Sequence, residues 1–106
     1  MATGNILAEG NTDKLKLLTI TWDPANISGT NTTSEQTLTV PGVQVGDFVM
    51  VSKPTLSAGV GIVNARVSAA NTVAVQWVNA TGSAVNPGSE AYLVLVMRPD
   101  ATLNAF

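Results

Sequence analysis

The stretch Ile62-Val63-Asn64-Ala65-Arg66-Val67-Ser68-Ala69-Ala70-Asn71-Thr72-Val73-Ala74-Val75-Gln76-Trp77-Val78-Asn79 decides the class of fold. Two Val-rich runs flank Ala69-Ala70-Asn71, which has the composition of a turn. In the second run Val73, Val75 and Trp77 fall on one side and Ala74, Gln76 and Val78 on the other, the period of an extended chain. β-Branched residues are stiff at χ1 and fit a pleated surface better than a helix. Two such runs joined by a turn predict a β-hairpin.

The same punctuation recurs on both sides of the hairpin. Towards the C-terminus, the polar residues 80–89 carry Gly82, Pro87 and Gly88 and lead into a nearly continuous apolar run, Tyr92-Leu93-Val94-Leu95-Val96-Met97. Such a run predicts a central strand covered on both sides, or one whose outer face meets a partner. Pro99 ends it. Towards the N-terminus, residues 48–52 form a strand between Val45-Gly46-Asp47 and Lys53-Pro54, and residues 37–40 form one that stops at Pro41-Gly42, a turn dipeptide. Residues 25–36, rich in Asn, Ser and Thr, read as a long surface loop with an irregular edge strand. Residues 14–22 alternate again: Leu18, Ile20 and Trp22 share one face, Leu15, Leu17 and Thr19 the other, and Asp23-Pro24 closes the run.

No long segment places apolar residues at helical spacing. Short strands at roughly ten-residue intervals predict an all-β domain. Because several strands have one apolar and one mixed face, a small β-sandwich is expected rather than a closed barrel. The expected topology is jelly-roll-like, with six to eight short antiparallel strands. The domain should span residues 14–98, with an N-terminal arm at 1–13 and a C-terminal tail at 99–106.

Composition bounds the chemistry. Of 106 residues, 45% are hydrophobic, 5% aromatic and only 11% charged, with a formal net charge of −2. That charged share is less than half the usual quarter. The basic residues are scattered, so no phosphate-tracking patch exists and no nucleic-acid partner is expected. No apolar run approaches the roughly 20 residues of a membrane-spanning helix, and the first ten residues lack the pattern of a signal peptide. With neither Cys nor His, disulfides, thiolate metal sites and thiol nucleophiles are excluded, as are the commonest metal ligand and general base. No enzyme activity, cofactor or metal is expected.

The residues left to carry chemistry read as structural. Asp47 follows Gly46 in a turn, and no second acidic residue lies nearby in the chain; a hard-cation site needs about six or more oxygens. Gly59-Val60-Gly61 is too short to cradle a phosphate and lacks the Lys-Ser/Thr that would follow. The sequons at Asn26, Asn31 and Asn79 are the kind expected by chance in a chain so rich in Asn and Thr. Trp22, Trp77 and Tyr92 are the residues that could form a sugar-stacking platform. The alternation assigns Trp77 and Tyr92 to the core and leaves Trp22, at a strand end, as the most exposed ring.

A resemblance becomes visible once the strands are placed. Thr37-Leu38-Thr39-Val40-Pro41-Gly42-Val43-Gln44-Val45-Gly46-Asp47-Phe48-Val49-Met50-Val51-Ser52-Lys53-Pro54, then residues 59–75, then Asn79-Ala80-Thr81-Gly82 and Ala91-Tyr92-Leu93-Val94-Leu95-Val96, resemble a family of short structural proteins of tailed bacteriophages. Several members of that family are capsid decoration (cement) proteins. The resemblance implies a virion protein on the outer capsid surface, made in the host cytoplasm. It would bind the phage major capsid protein and itself, as a homodimer or homotrimer, and stabilise contacts between capsid subunits. A tail or baseplate module, or a carbohydrate-binding β-module, is the alternative. The expected partner contacts are Ile6 and Leu7 in the arm, Trp22 at the strand end, and Leu103 and Phe106 in the tail, the two termini ordering on docking.

Overall fold

Turn-bounded, β-branched runs become strands throughout the chain. A computed structural model describes residues 12–32 and 35–100. Its strands are β1 (Thr12–Trp22), β2 (Asn31–Thr32), β3 (Gln36–Thr39), β4 (Phe48–Ser52), β5 (Val60–Ala69), β6 (Thr72–Asn79) and β7 (Glu90–Pro99), and no helix occurs among the described residues. All pairings are antiparallel. One sheet has the order β1-β7-β4. In the other, β6 is central, with β5 on one side and β2 and β3 on the other.

The fold is the expected small sandwich. If β2 and β3 are taken as one interrupted strand, every connection crosses between the sheets except the β5–β6 hairpin. This is the strand order of a jelly roll that lacks the outermost strand of each sheet on the β4 and β5 side. Both strands therefore keep an edge without a ladder partner among the described residues.

The core follows from the alternation. Val73, Val75 and Trp77 of β6 face Tyr92, Val94 and Val96 of β7, and five of these six side chains are fully enclosed, Val96 being 8% exposed. Leu38, Val49 and Val67 join them, with Val40 and Val43 from the loop after β3. Each such side chain contributes roughly 1.5–3 kcal/mol by leaving water. In β5 the pairing shifts between Ile62 and Asn64. The extra residue, Val63, lets Ile62 share the inward face with Ala65 and Val67 despite its opposite parity.

Paired turns seal the ends. At one end Pro41-Gly42 meets the tip of the hairpin. Gly42, at a φ of 98°, takes the left-handed conformation that this position of a type II turn requires. The Asn71 side-chain oxygen accepts from the Gly42 amide at 2.7 Å, and the Asn71 amide donates to the Val43 carbonyl at 2.9 Å. At the other end, residues 25–36 are more than a surface loop. Ile27 is fully buried and exchanges backbone hydrogen bonds with Val85, at 2.8 and 2.9 Å. Gly29 lies against the backbone of Gly82 and Ser83, where an added Cβ would come within 2.6 Å of the Ser83 nitrogen.

Asn79 ties this second end together. Its amide donates to the Ile27 carbonyl at 3.0 Å and the Ser83 carbonyl at 2.9 Å, and its oxygen accepts from the Thr81 amide and hydroxyl at 2.8 and 2.7 Å. The side chain is enclosed, so this sequon is closed to a glycan in the folded chain.

Replacing Ile27 by Ala should cost about 2–5 kcal/mol, as for a core position. Asn79→Ala should cost about 1–3 kcal/mol, because it leaves the Thr81 amide without its acceptor and takes one of two donors from each of the Ile27 and Ser83 carbonyls. Urea unfolding measures both, as a lower midpoint at unchanged slope. A shift for Ile27→Ala within the scatter of surface variants would remove that loop from the core.

Candidate functional site

The two outer faces of the sandwich differ in kind. On the β2/β3-β6-β5 sheet, the outward residues of β6 are Ala74, Gln76 and Val78. They pair with Thr37 of β3 and with Arg66, Asn64 and Gly61 of β5. The Arg66 guanidinium spans from β5 to Glu35, donating from Nε and Nη2 at 2.7 Å each, and Ala74 beneath is only 2% exposed. This is a solvated face.

The β1-β7-β4 sheet turns out the opposite chemistry. The register places its outward residues in rows across three strands: Leu15-Met97-Phe48, then Leu17-Leu95-Met50, then Thr19-Leu93-Ser52, with Thr21 and Ala91 beyond. None is charged. Leu17 is 65% exposed, Met50 56%, Phe48 53% and Leu15 45%. Scattered apolar side chains on a surface need no explanation, but a contiguous apolar patch of several hundred Å² marks a contact surface. The sequence had pointed here: β7 is central, and its outer face is what makes the run from Tyr92 to Met97 continuous.

The second feature is the seam where β4 and β5 run side by side without pairing. It holds a groove of about 510 Å³ lined by residues 47–51 and 62–66, continued by one of about 380 Å³ that reaches Leu56. Leu56 is 87% exposed. The floor is apolar, from Val51, Ile62 and Ala65.

Charged groups sit at the rims, in ion pairs. Asp47 faces Arg98, with Nε to Oδ1 at 2.8 Å and Nη2 to Oδ2 at 2.9 Å, while Oδ2 also accepts the Gln44 amide at 2.9 Å. The hydrogen bond from Arg98 holds the Asp47 carboxyl below its ordinary range, against the cost of burial. Arg98 also donates to the Gly42 carbonyl at 3.0 Å. Lys53 pairs with Glu90 at 2.6 Å, and the hydrogen bonds from Lys53 and Thr55 lower the Glu90 carboxyl. Among the described residues, no three Asp or Glu side chains converge as a metal cage would require.

The aromatic residues form a cluster. Ring centres are 6.0 Å apart for Trp22 and Trp77, 5.3 Å for Trp22 and Tyr92, and 6.4 Å for Trp77 and Tyr92. Trp77 and Tyr92 are fully enclosed, so neither offers a face to a sugar. Trp22 is only partly accessible, its ring packed on the other two. It is the most exposed of the three rings, as expected, yet the alternation carries it inward with Leu18 and Ile20. Ile6, Leu7, Leu103 and Phe106 lie outside the described residues.

Comparison with known proteins returned no matching family model, no matching curated protein and no matching solved structure.

The pKa directions set the response to pH. A carboxylate lowered on folding stabilises the native state above its unfolded pKa, and that contribution is lost as pH falls through the folded value. Stability should therefore hold down to about pH 5 and fall below about pH 4. Asp47→Asn should be less stable at neutral pH and lose part of that acid dependence, with Glu35 and Glu90 supplying the rest; denaturant melts across this range measure it. At the alkaline end, burial pushes the Tyr92 hydroxyl up to about 12, with the Glu90 and Asp23 carboxylates adding to the shift. Tyr92 is the single tyrosine, so the phenolate absorbance of the folded protein should rise near pH 12 rather than 10, and stability should decline over the same interval. Titration at the ordinary value in the folded state would place the ring in water.

Proposed function

We propose that the chain is a virion structural protein: a decoration protein that binds the outer surface of a phage capsid and stabilises contacts between major capsid subunits. The observation that carries this reading is the uncharged, apolar outer face of the β1-β7-β4 sheet, set against the polar face opposite. A surface of that kind serves contact with protein rather than turnover of a substrate. The resemblance of stretches within residues 37–98 to short structural proteins of tailed bacteriophages, several of them decoration proteins, supports the particular setting.

Physical economy supports it too. A cement protein works through shape and apolar contact, and copies arranged with capsid symmetry let modest contacts act together. Buried valines and interlocked turns provide the rigid body, and the charged side chains of Asp47, Arg98, Lys53 and Glu90 are held in ion pairs of the fold. The sheet face is free to serve contact between neighbouring copies, and the β4/β5 groove offers a separate apolar surface to the shell.

Purified protein mixed with expanded capsids lacking decoration should co-sediment saturably, at a stoichiometry set by capsid symmetry, and raise the temperature at which the shells rupture. Absence of saturable binding to such shells would defeat the proposal.

A further inference from the structure

Resting on that reading, we infer that the outer face of the β1-β7-β4 sheet is covered by a second copy of this chain, packed face to face about a twofold axis that passes close to Leu95.

Three observations select this occupant. First, the face carries no charge. In a twofold interface each residue near the axis meets its own counterpart, so a charge there would face its like. A neutral face is self-compatible, whereas a surface built for a charged partner would carry complementary charge. Second, the size is right. Leu15, Leu17, Phe48, Met50 and Leu93 are 45%, 65%, 53%, 56% and 40% exposed, which at roughly 200 Å² for a large side chain presents about 500 Å² of apolar surface, so a pair would bury about 1,000 Å², the threshold for a specific interface. Third, the shape is right. Antiparallel sheets pack face to face about 10 Å apart with side chains interdigitated, the arrangement this chain already uses inside its own sandwich. The second copy would turn the outer side of β7 into an interior like its inner side, which accounts for apolar residues at both parities from Tyr92 to Met97.

The pairing leaves the β4/β5 groove at the side of each copy. A dimer would therefore present two symmetry-related grooves to the shell.

Sedimentation equilibrium of the purified chain, with no capsid present, should give a dimer in reversible, concentration-dependent exchange with monomer. Leu17→Glu alters a side chain that is 65% exposed in the single chain, so folding should survive, as circular dichroism and urea melts can verify. The twofold axis counts the change twice, and the dissociation constant should rise about a hundredfold or more. Because the chain has no cysteine, single-cysteine variants give a second readout that does not depend on destabilisation. A short bis-maleimide should link Leu95→Cys into dimers, while Leu56→Cys, outside the face, should remain monomeric. A wild-type monomer at high micromolar concentration overturns the inference, as does a dimer untouched by Leu17→Glu or cross-linked through residue 56 instead of 95. Open-ended aggregation without a dimer plateau overturns it as well. Each of these results leaves the co-sedimentation test standing, since a monomer could still bind capsids, whereas a dimer that ignores capsids would defeat the decoration role alone.

Discussion

Trp77 and Tyr92 meet edge to face across the sandwich, with ring centres 6.4 Å apart, and the rest of the molecule is arranged about that contact. They sit on β6 and β7, the central strands of the two sheets. Large rings hold the sheets apart near the Ile27 end, while the smaller Val73, Val75, Val94 and Val96 fill the space between β6 and β7 further along. A chain this short buries only about two-thirds of its unfolded surface, so few positions are spare. Enclosing both rings forces Trp22 to pack over them and Ile27 to close the end. Once Ile27 is drawn in, its carbonyl is satisfied by two donors away from water, the Val85 amide and the side chain of Asn79, the last residue of β6.

Much of this was legible in the chain, because period-two alternation survives wherever one face is buried. The hairpin, the strand from Phe48 to Ser52 and the inward set of β6 follow from it directly. What escaped is instructive. Ile27 stands alone among Asn, Ser and Thr, so no period marks it; only the approach of residues 82–85 makes it core. Trp22 has the parity of the interior and the position of a strand end, and it is accordingly the partly accessible ring of the three, packed on the other two. The bulge at Val63 breaks the alternation of β5 just after Gly61, a residue that marks a turn or bulge nearby without saying which position is the extra one.

The apolar sheet face was half legible. The run from Tyr92 to Met97 declared that the outer side of β7 is as apolar as its inner side, and Leu15 and Leu17 stood out on the alternate face of β1. Phe48 and Met50 in β4 gave no such sign, since their significance depends on lying opposite Met97 and Leu95. Register is a property of the folded sheet, and a one-residue slip would have scattered these side chains between faces. The surface is therefore encoded in three separated segments whose coincidence only the fold brings about.

A sandwich with unpaired edges and an apolar face risks uncontrolled polymerisation, and the structure limits that risk at the edges. β4 is short, which restricts the ladder it can offer. β5 carries register shifts at Ile62/Asn64 and Val67/Ala69, so its backbone cannot present a long regular template to another strand. Along β1, Lys14 and Lys16 lie close together, and a further shift interrupts pairing between Thr12 and Lys14. With backbone addition discouraged, association is left to side chains: the outer face of β1-β7-β4 and the groove between β4 and β5. Side-chain contact depends on shape and closes a finite interface, whereas edge pairing propagates. For a protein whose proposed work is to occupy a fixed number of places on a symmetric shell, that is the safer surface on which to place its adhesion.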